Sequence, residues 1–126
     1  MSLTVSSVEK QPGIFIVSAF GSLDTNTHQI LEKKMDFLIT NGAAKVITLD
    51  MKDVEYISSM GVRVILKTKK ELSKKGGVFL IAHVQPQIKR VFEIINALPS
   101  LQIFASIEEL DDYLAEMQRQ VLDGHA

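Results

Sequence analysis

Apolar positions recur with two different periods along this chain, and the changes of period mark its elements. Ile14 to Phe20 is β-branched and aromatic, entered through Pro12-Gly13 and left at Gly21, which reads as turn, strand, turn. Leu3 to Val8 alternates weakly and is placed to pair across the Pro12-Gly13 turn as an antiparallel edge strand. From about Thr25 to Thr40 the period becomes helical, with Ile30, Leu31, Phe37 and Leu38 on one side and Asn41-Gly42 as the stop. Lys45 to Leu49 is a short strand of the buried type, followed by a polar turn from Asp50 to Glu55. After Tyr56 to Gly61, helical spacing returns in Val62, Ile65, Leu66, Lys69 and Leu72. Arg63, Lys67, Lys70 and Lys74 take the wet face, and Gly76-Gly77 ends the helix.

Val78 to Ala82 is again strand-like. Pro86 opens a helix carrying Ile88, Val91, Phe92 and Ile95, bounded by Pro99. Leu101 to Phe104 reads as a last strand. Ser106-Ile107-Glu108-Glu109 is a capping box that starts a helix through Leu110, Tyr113, Leu114, Met117 and Val121, and residues 123–126 form a loose tail. The expected order is β-β-α-β-α-β-α-β-α. Strands alternating with helices imply an α/β fold with a mixed, mostly parallel sheet whose first strand is antiparallel.

The length of 126 residues suits one domain with a proper core, and no repeat or Pro/Gly/Ser linker divides it, so residues 1–126 are expected to form a single unit. Met1 to Leu3 lacks the layout of a signal peptide and reads partly as an expression scar. A formal net charge of −1 gives no electrostatic case for nucleic acid or an anionic membrane. No apolar run reaches the roughly 20 residues of a membrane helix. The absence of cysteine removes disulfides, thiolate catalysis and zinc–cysteine sites, and agrees with a reducing compartment.

In open α/β sheets, sites form where strand ends pass into helices. Two loops qualify: Gly21 to Asn26, and Asp50 to Gly61. The second ends on Ser58-Ser59 at a helix start, where serine serves either as a backbone cap or as a phosphoacceptor favoured by the positive helix end. A third reading makes Ser59 a nucleophile on a G-x-S-x-G elbow, but Ile57 stands at the first glycine position. Only His83 and His125 follow as possible bases, and no credible triad results. His28 is expected to be solvated in the first turn of its helix, and His83 to pack or meet water at a strand end. Three scattered histidines give no metal-ligand spacing, and there is no G-x-x-x-x-G-K-[ST] phosphate loop. No cofactor is expected.

Gly21-Ser22-Leu23-Asp24-Thr25 resembles the G-x-L-D loop of STAS domains, and Lys45 to Met51 followed by Val54 to Ile65 resembles that family's central motif. The likeness extends through Gly76 to Leu80, Val84 to Ile95 and Ile103 to Ser106. The family includes bacterial anti-sigma factor antagonists and the cytosolic domains of sulfate transporters. In the antagonists the motif often reads D-S-[ST]-G-[LIV], with the serine after the aspartate phosphorylated. Here Ser58 takes the aspartate position, Ser59 the acceptor position and Met60 the second hydroxyl position, while Gly61 and Val62 match.

The resemblance implies a cytoplasmic bacterial regulator of transcription that switches partners and is not an enzyme. Its implied partners are an anti-sigma factor of the histidine-kinase-like ATPase fold and a PP2C-type phosphatase. The implied partner surface combines Asp24, Thr25, Tyr56, Ser58, Ser59, Met60, Gly61 and Arg63, with Asp24 and Arg63 as replaceable surface residues. The alternative inside the family is an unphosphorylated module of a chemotaxis, stressosome-like or lipid-transport assembly. The alternative outside it is a small nucleotide-binding protein or enzyme.

Overall fold

The computed structural model describes residues 2–97 and 106–124. Its elements are β1 (Leu3–Gln11), β2 (Ile14–Leu23), α1 (His28–Thr40), β3 (Val46–Ile57), α2 (Ser59–Lys74), β4 (Val78–Ala82), α3 (Pro86–Ala97) and α4 (Ile107–Leu122). The strand expected at Leu101 to Phe104, and Pro99 before it, lie outside the described residues. The sheet order is β1-β2-β3-β4, with β1 antiparallel to β2 and parallel pairing from β2 through β4. This is the mixed, mostly parallel arrangement that the alternation of periods predicts.

Alternate positions of a strand share a face, and here Phe15, Val17 and Ala19 of β2 join Ile47, Leu49 and Met51 of β3 on the buried one. Against that face α1 packs beside α2, while α3 packs on α4 and β3. Leu31, Met35, Val62, Ile65, Leu72, Ile88 and Leu114 complete a single core. On the other side of the sheet Phe20, Val78 and Leu80 are each at least half exposed.

Three sequence expectations give way. The segment Asp50 to Glu55 is not a turn; β3 continues through it to Ile57. Met51, Val54 and Ile57 are buried along it, and two irregularities in the pairing with β2 replace strict alternation, which hides the strand in the sequence. Nor does β2 end at Gly21. That glycine sits inside the strand at φ +117, where a Cβ would come within 2.2 Å of the Ser2 carbonyl oxygen. The buried face of α1 is also rotated from the expected one. His28, Leu31, Met35, Leu38 and Ile39 face inward, while Ile30 and Phe37 are 45% and 58% exposed. The inward set follows the i, i+4, i+7 rule, and the exposed pair lies on the neighbouring strip.

Candidate functional site

The extended strands carry the site. Because β2 and β3 both run on, their carboxyl ends meet side by side: Ser22 pairs with Tyr56 and Leu23 with Ile57. The Ser58 amide then donates to the Leu23 carbonyl at 2.9 Å. The loop after β2 and the start of α2 therefore sit at one end of the sheet, as strand-end logic anticipates.

The loop after β2 is built around Asp24. Its Oδ1 accepts from the amides of Asn26 (2.9 Å) and Thr27 (3.1 Å). Thr27 Oγ1 accepts from the Asp24 amide at 2.9 Å and donates to the Ser22 carbonyl at 2.6 Å. Asp24 is thus the cap of the tightened turn that leads into α1. At 8% exposure it is not the surface carboxylate expected from the sequence. His28 is likewise not solvated. It is buried, and its Nδ1 lies 3.2 Å from the Asp24 carbonyl and 3.0 Å from that of Thr25, so this nitrogen carries the proton. Both side chains are consumed in shaping the loop, which leaves Thr25 exposed on it.

The second half begins with the serine pair. Ser58 is the N-cap of α2, with extended backbone and an Oγ that accepts from the Gly61 amide at a long 3.5 Å. Ser59 is the first helical residue. Its amide, which has no acceptor inside the helix, donates to Asp111 Oδ1 of α4 at 2.9 Å. Its Oγ is closed off from solvent and has no hydrogen-bond partner among the described residues. Gly61 is required by packing: a Cβ there would lie 2.7 Å from the Leu23 carbonyl oxygen and 2.8 Å from Ile57 Cγ1. Tyr56 and Met60 are half-buried beside the pair, and Arg63 is exposed one turn on, with no ion pair among the described residues. Burial first, then the charges of Asp111, Asp24 and Asp112, push the Tyr56 phenol above its ordinary pKa.

Sequence reasoning missed α4 as part of this site. Asp111 reaches the Ser59 amide, and buried Gln118 reaches the backbone of Ile57 through both its oxygen (3.0 Å) and its nitrogen (2.7 Å). Gln118 did carry a signal: it continues the buried i, i+4 row of Leu110 and Leu114, where a polar side chain needs a partner. Asp111 carried none, since an aspartate near a helix start is explained by the helix dipole alone.

Elsewhere, His83 Nδ1 lies 3.2 Å from Asp50 Oδ1 at the rim between β3 and β4. Partial burial raises the Asp50 carboxyl pKa, but the Lys52 amide, the His83 ring and the Lys52 charge together bring it below the ordinary value. Among the described residues there is no group of three or more His, Asp or Glu side chains that could hold a metal ion, and no helix long and apolar enough to cross a membrane.

These features define a small α/β domain organised around a serine pair at the start of a helix. The chain belongs to the STAS domain family, which it matches over residues 6–110. It is 28% identical over 97 residues to the anti-sigma F factor antagonist of Paenibacillus polymyxa, covering 77% of this chain and 83% of that protein. It is 30% identical over 92 residues to the anti-sigma-B factor antagonist of Bacillus subtilis, covering 73% and 83%. Among solved structures it resembles SpoIIAA, the anti-sigma factor antagonist and Bacillus cell fate determinant. The unphosphorylated and phosphorylated forms both give a TM-score of 0.63 at 21% identity, covering 72% and 73% of this chain and 83% of theirs.

Proposed function

We propose that this chain is an anti-sigma factor antagonist, a cytoplasmic protein-binding switch set by phosphorylation of Ser59. Unmodified, it binds an anti-sigma factor of the histidine-kinase-like ATPase fold. That partner transfers the γ-phosphoryl group of ATP to Ser59 Oγ: the bond to ADP breaks, the Oγ–P bond forms, and the hydroxyl proton leaves to a base on the kinase. A PP2C-type phosphatase hydrolyses the ester and resets the switch. The chain acts as substrate and ligand, and the chemistry belongs to its partners.

The observation that carries this reading is the position of Ser59. It is the first residue of α2, directly after the capping serine, with a hydroxyl that the fold uses for no hydrogen bond among the described residues. Similarity to proteins named anti-sigma factor antagonists, one of them solved in a phosphorylated form, supports it. The partner surface on this reading is Thr25, Tyr56, Met60 and Arg63, with Asp24, Ser58 and Gly61 holding it in shape. Phosphate adds about −1.5 to −2 charges. A like charge about 4 Å away near a protein surface costs roughly 4 kcal/mol, which corresponds to two to three orders of magnitude in affinity.

The burial of Ser59 Oγ favours a second reading, an interaction module of the same family that is never phosphorylated. Intact-mass and phosphopeptide analysis, after incubation with a histidine-kinase-like anti-sigma factor of the same genome and ATP, separates the two. One phosphate on Ser59 with weakened binding is expected. Tight binding without any phosphate would favour the second reading.

A further inference from the structure

We propose that the Asp111 carboxylate of α4 stands in for the phosphate at the start of α2, so that phosphorylation of Ser59 loosens α4 from the end of β3. The proposal rests on the reading of Ser59 as the phosphoacceptor and adds a moving part to it.

Three contacts make α4 a latch over the serine pair. Asp111 Oδ1 takes the free amide of Ser59 at 2.9 Å, which puts an anion where a helix start favours one. One turn on, Leu114 is fully buried in the common core. One further turn on, Gln118 holds both backbone groups of Ile57. The family match ends at Leu110, so all three residues lie beyond it.

The amide held by Asp111 belongs to the same residue whose Oγ is buried and unpartnered. A phosphoryl group on that Oγ would bring its charge against the Asp111 carboxylate, with Asp112 next in sequence. It would also offer three strong acceptor oxygens to the amides of the first turn of α2. Two anions then compete for one helix start. The phosphate is covalently fixed there, so the carboxylate is the group that leaves. Asp111 lies two turns from Gln118 on one helix, so its departure weakens the grip on Ile57 as well. The binding surface of the phosphorylated form therefore differs in shape as well as in charge.

Backbone amide exchange, followed by NMR on the full chain with phosphoserine genetically encoded at position 59, tests this. The amides of Leu114 to Gln118 and of Ile57 should exchange at least tenfold faster than in the unmodified protein, while those of Val17 and Leu49 in the sheet should not change. In Asp111→Asn, which keeps an acceptor but removes the charge, the phosphoserine effect on α4 should shrink several-fold. Equal α4 protection with and without phosphate would overturn the proposal, as would acceleration spread evenly over sheet and helices. Because phosphoserine is installed during synthesis, a kinase that ignores Ser59 would sink the functional reading without changing this result.

Discussion

Gln118 of α4 hydrogen-bonds both the N–H and the C=O of Ile57, as a neighbouring strand would. β4 is too short to do so, because its pairing with β3 stops at Asp50 opposite Ala82. Beyond that point, among the described residues, glutamine side chains serve this edge. Gln85 donates to the Lys52 carbonyl at 2.6 Å, Gln87 to the Glu55 carbonyl at 2.9 Å, and Gln118 closes the series at Ile57. Buried backbone groups must find partners somewhere, and primary amides supply a donor and an acceptor together. Past Asp50 the edge of β3 thus reaches the serine pair on side-chain partners from the described residues.

Replacing Gln118 by leucine should be costly despite the apolar surroundings. The new side chain fits the row of Leu110 and Leu114 but leaves two buried backbone groups of Ile57 unpaired, at about 1–3 kcal/mol each. We expect a loss of about 2–6 kcal/mol in urea unfolding. A change within about 0.5 kcal/mol, the range of an ordinary surface substitution, would show that water or a shifted strand takes over.

Asp24 and Arg63 should part company. Asp24→Ala removes an acceptor for two amides, and should cost about 1–2 kcal/mol, as for a strong helix cap. Arg63→Ala, at an exposed position, should leave the thermal midpoint almost unchanged yet weaken binding of the anti-sigma partner. Thermal melts and titration calorimetry of both variants check this. An Asp24→Ala protein as stable as wild type would contradict the capping role.

The contrast shows what was readable in the chain. Strand and helix types followed from apolar period because burial selects them directly, and a serine cap at Ser58-Ser59 followed from local chemistry, which does not say which serine it is. The Asp24 loop was found from its place at a strand end and by resemblance but its direction was misjudged, since nothing in Gly21 to Asn26 says whether a carboxylate turns inward to amides or outward to a partner. Strand β3 past Asp50 was hidden because its pairing irregularities break the period of two. The contacts of Asp111 and Gln118 join residues more than fifty positions apart, a relation that no local pattern encodes.

Tyr56 reports on Asp111. Its phenol is raised by burial and by the neighbouring aspartates, so Asp111→Asn should bring the ultraviolet titration midpoint down toward the ordinary value. The sign for stability follows. A tyrosine with a raised folded pKa adds stability below its unfolded pKa of about 10, and this is lost as the pH rises through the folded value. Alkaline unfolding of wild type should therefore include a component that shrinks in Tyr56→Phe. A midpoint that does not move in Asp111→Asn would mean that burial and the other two aspartates set it.

The serine pair gives the sharpest separation. The cap bond from Gly61 to Ser58 Oγ is long at 3.5 Å, so Ser58→Ala should cost only about 0.5 kcal/mol, the low end for a cap, and should still accept phosphate on Ser59. Ser59→Ala deletes a buried hydroxyl that has no partner among the described residues. Its stability should equal or slightly exceed that of wild type, since an unsatisfied buried group is removed with no bond lost. It should accept no phosphate and hold the anti-sigma partner constitutively. Ser59→Asp should fold, because a helix start tolerates an anion, and should bind weakly. Mass spectrometry of each variant after treatment with the kinase and ATP, with calorimetric binding in parallel, decides between the two serines. Phosphate on Ser58 of the Ser59→Ala protein, arriving at the wild-type rate, would reverse the assignment and make the cap the acceptor.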